Sequence, residues 1–107
     1  MKKSVQIAMN RRVENAYKDM CDELEKKEPY LHYSQLHSCK AYVIETKNLY
    51  VLQSYNKIVA CIRKDYLQSY DFLRMVYCYK ATSAQHISKF FHDYGDSRIR
   101  AYVYRDI

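Results

Sequence analysis

The chain has one glycine, Gly95, one proline, Pro29, and no tryptophan in 107 residues. A lone glycine excludes the glycine-rich phosphate loops, because neither a G-x-G-x-x-G nor a Walker sequence can be written with it. Tight turns must then be made by Asn, Asp, Ser and Lys. No segment reaches the roughly 18 apolar residues of a membrane span. Lys2 and Lys3 precede SVQIAMNRR, in which the apolar run is too short and too interrupted by charge for a secretory leader. There is no linker, repeat or low-complexity tract, and the sequence from Met1 reads as a complete short frame forming a single domain over residues 1–107.

Metal-ligand spacing is also missing. Cys21, Cys39, Cys61 and Cys78 stand 18, 22 and 17 residues apart without a C-x-x-C pair. Each sits in an apolar or periodic context, so reduced, buried thiols and a cytoplasmic location are expected. Cys39 with His32 or His37 lacks the second close ligand pair of a structural zinc site. No metal and no cofactor is expected.

What the chain does have is tyrosine, 13 residues against 3 phenylalanines, within a hydrophobic share of 49%. Phenols can finish a core at its rim or form an exposed aromatic face. Eighteen Lys and Arg against twelve Asp and Glu give a net charge of +6, spread along the chain. Moderate, salt-sensitive attraction to phosphate or to an acidic partner follows.

The pattern predicts an α+β fold. Met9, Val13, Ala16, Tyr17, Met20 and Leu24 recur at helical steps and predict a first helix over residues 5–27, which Pro29 must end. Residues 33–38 read as a short turn of helix. Three extended segments follow at 40–46, 49–54 and 57–64, separated by Lys47-Asn48 and Tyr55-Asn56, and predict a three-stranded antiparallel meander. Both faces of it are apolar. It therefore needs helices on one side and a second helix or a partner on the other, which makes a homodimer one of the alternatives.

Asp71 is placed to cap a short helix over 72–77, and Thr82 with Gln85 forms a T-x-x-Q capping box for a second short helix. In that helix Ala84, Ile87, Phe90, Phe91 and Tyr94 form the inward stripe, Gln85, Lys89 and His92 lie together outside, and Gly95 takes the position of a left-handed C′ residue. Residues 97–104 alternate strictly and predict a final strand.

The segments SYNKIVACI, residues 54–62, and YDFLRMVYCYKATSAQHISKFFHDYG, residues 70–95, resemble a family of short uncharacterised proteins of Firmicutes phages and mobile elements. The likeness spans about residues 42–95, and ATSAQHISKF is its most specific part. The family often has Gly where Cys78 stands and Thr where Lys80 stands, so the turn between the two short helices departs from its pattern here. The resemblance implies an accessory protein of a mobile element and carries no catalytic residue with it. Small non-catalytic proteins of such origin include inhibitors of host defence nucleases.

The strongest chemical signal lies in the last predicted strand. A period of two puts Arg98, Arg100, Tyr102 and Tyr104 on one face, where guanidinium groups could clamp phosphates and phenols could stack on bases. The bland alternative is a charged edge strand that discourages aggregation. His86, Lys89 and Tyr94 fall short of a tyrosine-recombinase box, since histidine and tyrosine share one helix and the separated arginines of such an enzyme are missing. No other nucleophile–base arrangement stands out, and the chain is expected not to be an enzyme. The leading expectation is a non-enzymatic protein of a phage or mobile element that binds a protein or ribonucleoprotein of the bacterial host, an RNA-guided Cas nuclease being the most specific target. The alternatives are sequence-tolerant binding of RNA or single-stranded DNA, and a homodimeric structural or regulatory protein. Arg98, Arg100, Tyr102, Tyr104, Gln85, Lys89 and His92 are the expected contact residues.

Overall fold

A computed structural model describes residues 3–26, 32–36, 40–77, 80–96 and 98–105. They form an α+β fold in the order α1 (Lys3–Glu25), β1 (His32–Gln35), β2 (Ala41–Glu45), β3 (Leu49–Ser54), β4 (Lys57–Arg63), β5 (Gln68–Asp71), α2 (Leu73–Val76), α3 (Ala81–Tyr94) and β6 (Tyr102–Val103). The strands make one six-stranded sheet in sequence order. All neighbours are antiparallel except β5 and β6, which are parallel and joined through α2 and α3.

The meander falls where its apolar runs and turn residues put it, but it is the middle of a larger sheet. Tyr55 and Asn56 turn β3 into β4 with φ of 51° and 71°, the pair of positive angles that a two-residue I′ hairpin requires. Val59 has no partner between the pairs Leu52–Ala60 and Gln53–Ile58, which marks a bulge. Its extra residue sends Ile58 to one face while Val59 and Ala60 both serve the other, so a strict period of two, which would group Ile58 with Ala60 and Ile62, fails here.

Each face of the sheet has its own core. On one, Ile44, Leu49, Val51, Cys61, Tyr70 and Phe72 pack against Val13 and Met20 of α1. On the other, Ala41, Val43, Leu52, Ala60 and Ile62 pack against Ile87 and Phe90 of α3. The second cover that two apolar faces demand therefore comes from the chain's own helices.

Several local expectations are corrected. The segment read as a helical turn at 33–38 begins as strand β1, which pairs with β2 from His32–Glu45 to Gln35–Tyr42; residues 37 and 38 lie outside the described residues. The capping box does not form. Lys80 occupies the N-cap in extended geometry without a side-chain cap bond, because α3 starts early enough to bury Ser83 against Ser54, 3.1 Å between their hydroxyls. Gly95 is extended, with φ −101°, so no left-handed cap is made. Glycine is nonetheless the residue that fits: a Cβ there would stand 2.9 Å from the Phe91 carbonyl oxygen and 3.3 Å from Ile62 Cδ1. The last strand is two residues long, not eight. The short helix expected over 72–77 is α2, over 73–76, and its N-cap is Phe72 without a side-chain cap bond; Asp71 stands one residue earlier, where its Oδ1 accepts the Leu73 amide at 2.9 Å.

Candidate nucleic-acid interface

The C-terminal segment holds the outer edge of the sheet, and α1 rather than the ladder fixes it there. Continuing the apolar stripe of α1 backwards from Val13 lands on Asn10 and Gln6, and both are buried. The Asn10 side chain donates to the Arg105 carbonyl at 2.7 Å and accepts the Arg105 amide at 3.1 Å, while Gln6 donates to its Oδ1 at 2.8 Å. One amide thus completes the backbone pairing that a two-residue strand leaves open. These two residues escaped the sequence reading, although their spacing was the available signal.

At the other end of α1, Glu23 accepts Thr46 Oγ1 at 2.9 Å and the Asn48 amide at 3.2 Å. The helix is therefore a diagonal strap from β6 to the β2–β3 turn.

The predicted Arg/Tyr stripe does not form as one face. Arg98 lies before the strand, where its amide, Nε and Nη2 donate to Asp96 at 2.9, 3.0 and 2.8 Å and turn the chain. That clamp holds the Asp96 carboxyl down at about 2. Tyr102 is packed, its ring 5.3 Å from that of Tyr70, with Arg12 lying 5.0 Å over it and donating to its hydroxyl at 2.9 Å. Tyr104 packs on the α1-side core. Both phenols are thus engaged in packing, and what the edge displays is guanidinium.

Arg100 and Arg105 are exposed. Arg74, Arg105, Asp71 and Val103 line a small cleft of about 180 Å³ beside β6. Arg12, Arg74, Arg98, Arg100 and Arg105 are thus carried on or beside one sheet edge against Asp71 and Asp96. The remaining expected contacts are elsewhere. On α3, Gln85 and His92 are exposed, and Lys89 pairs with Asp93 at 3.0 Å, which His92 Nδ1 also approaches at 3.1 Å. Among the described residues no hydrogen bond or ion pair joins these three to the C-terminal arginines.

Burial raises the Asp71 carboxyl above the usual aspartate range and outweighs the opposing Leu73 amide, Arg74 and Arg105. A raised folded value means that the stabilising contribution is complete below the unfolded-state value and is lost as pH rises through the folded one. Asp71→Asn keeps an acceptor for the Leu73 amide and removes the buried charge. The variant is expected to melt above the wild type at pH 7 and level with it near about pH 3, where the aspartate is protonated. Thermal unfolding at both pH values checks this.

The sequence reading found no nucleophile beside a base, yet the fold brings Ser54 Oγ within 2.9 Å of His86 Nδ1 and 3.1 Å of Ser83 Oγ. Ser54 and Ser83 are fully buried and His86 is half-buried, and the trio pins β3 to α3. Among the described residues no group of three or more metal-ligating side chains is present. Cys61 is buried, and that desolvation pushes its thiol far up, out of the thiolate range. No helix among the described residues is long and apolar enough to cross a membrane.

The fold and this edge define a small α+β protein with a helix-strapped sheet whose last strand is flanked by arginines. Residues 26–106 match the family described as "Family of unknown function (DUF8033)", and the chain belongs to that family. The matched span takes in all six strands and leaves the whole of α1 outside. No curated protein and no solved structure matches the chain.

Proposed function

We propose that the protein is a non-catalytic binding module whose β6 edge holds the phosphate backbone of nucleic acid in a nucleoprotein machine. The observation that carries this reading is the gathering of five arginines against two aspartates at one edge of the sheet. Guanidinium forks suit phosphate oxygens, and a backbone contact is indifferent to sequence. In the mobile-element setting that the resemblance implies, the most specific form of the reading is occupation of the nucleic-acid path of an RNA-guided nuclease.

Fluorescence anisotropy with labelled RNA and single-stranded DNA tests the reading. Affinity should fall as salt rises, and Arg100→Ala with Arg105→Ala should weaken binding to every sequence and shrink the log–log salt slope by about two. The Arg105 main chain keeps its bonds to Asn10 in that variant. Unchanged affinity and slope would reject the edge as the binding site. For the nuclease, absence of association and undiminished cleavage would remove that target.

A further inference from the structure

The strap leaves part of its own sheet face open. With its N-terminal half at β6 and its C-terminal end at the β2–β3 turn, α1 covers Ile44, Val51 and Cys61 but not the corner formed by β1 and the adjoining ends of β2 and β3. The register sets Gln35 opposite Tyr42, Tyr42 opposite Gln53, and Tyr33 opposite Ile44, so Tyr33, Gln35, Tyr42 and Gln53 share that face beyond the helix. Tyr33 is 53% exposed and Gln35 is exposed. The rings of Tyr33 and Tyr42 are stacked, 5.4 Å apart and 26° from parallel, on neighbouring strands.

We infer that this corner is a stacking platform for the bases of a single-stranded nucleic acid. Tyr33 supplies the outermost ring of a stack already begun by Tyr42. Gln35 and Gln53, on either side of Tyr42, each carry a donor and an acceptor that can meet any base edge. Charge favours an anionic occupant: the end of the sheet where Gln35, Tyr42 and Gln53 lie carries Lys40 and Lys57 and no carboxylate within residues 40–44 and 51–60, while Glu45, opposite His32 at the other end of β1, is paired with Lys64. Stacking tolerates every base because every base has a π-face, which suits the sequence-indifferent backbone contact proposed for β6. The inference rests on that nucleic-acid reading, adding bases at one corner of the sheet to phosphates at the opposite edge.

Anisotropy titrations should compare a labelled oligothymidylate of about 12 nucleotides, within the usual site sizes of single-strand binders, with an abasic oligomer of equal length and charge. The oligothymidylate should bind at least about fivefold tighter, the lower limit for one stacked base. Tyr33→Ala should erase that preference without altering the salt slope, Tyr33→Phe should keep it, and Tyr33→Leu should lose it while preserving the edge strand should alanine disturb it. Equal affinity of the wild type for the two oligomers, with the Arg100 and Arg105 dependence intact, would overturn the platform and leave the β6 reading standing. Failure of both oligomers to bind would overturn the two together. Sedimentation showing a dimer that Tyr33→Ala dissociates would give the corner to a second copy of the chain and reject the inference.

Discussion

Phe72→Ala is expected to cost about 3–5 kcal/mol of folding stability. Phe72 is fully buried where the sheet, α1 and α2 meet. Its ring meets Tyr17 of α1 edge-on at 5.1 Å and lies parallel to that of Tyr70, 6.3 Å away. Its amide donates to the Val59 carbonyl at 2.8 Å, at the bulge, so the backbone cannot move inward to fill the space without breaking that bond. The loss is therefore the transfer of the ring plus an unrelaxed cavity. Set against a typical total of about 5–15 kcal/mol, it brings a domain of this size close to unfolding at room temperature. Urea unfolding of the two proteins checks the figure, and a loss under about 1 kcal/mol would contradict the packing described.

Asn10→Leu is expected to cost about 2–3 kcal/mol, although the position lies on the buried stripe of α1 and leucine is the better helix former. The reason is the asymmetry of buried hydrogen bonds: the amide and carbonyl of Arg105 and the Gln6 side chain all lose their partner at once. Asn10→Asp should cost less, since it retains an acceptor for the Arg105 amide and for Gln6. Hydrogen exchange separates this effect from simple core damage. In Asn10→Leu the amides of Tyr104 and Arg105 should lose protection well before those of β3 and β4, and equal loss throughout would refute the clamp.

What the sequence revealed follows from where burial is extensive. The stripes of α1 and α3 are each packed on one core, and β2, β3 and β4 lie between the two cores, so the helical period is strong, the strands read as near-continuous apolar runs, and their positions were legible. Strand β1 was not, because three of its four residues are exposed and nothing apolar repeats in HYSQ. Strand β5 was missed for a related reason: Ser69 and Tyr70 are buried by tertiary packing, and Tyr70 alone of QSYD is apolar. The C-terminal strand was overextended because alternation cannot see that Asp96 captures Arg98 and bends the chain before it can pair. The arginines of the candidate site were legible as charge. That Tyr102 and Tyr104 turn to packing, and that Tyr33 and Tyr42 meet on a face left open by α1, depends on where a helix far away in sequence comes to lie.

The link between Asn10 and Arg105 joins positions 95 apart in the chain. A hairpin such as the one turned by Tyr55 and Asn56 closes in about 1–10 μs, whereas so distant a pairing must first bear the entropy of closing almost the whole polypeptide into a loop. On a ribosome, α1 emerges well before its anchor. The helix is thus made early and docked late, and throughout synthesis its polar notch at Gln6 and Asn10 is satisfied by water.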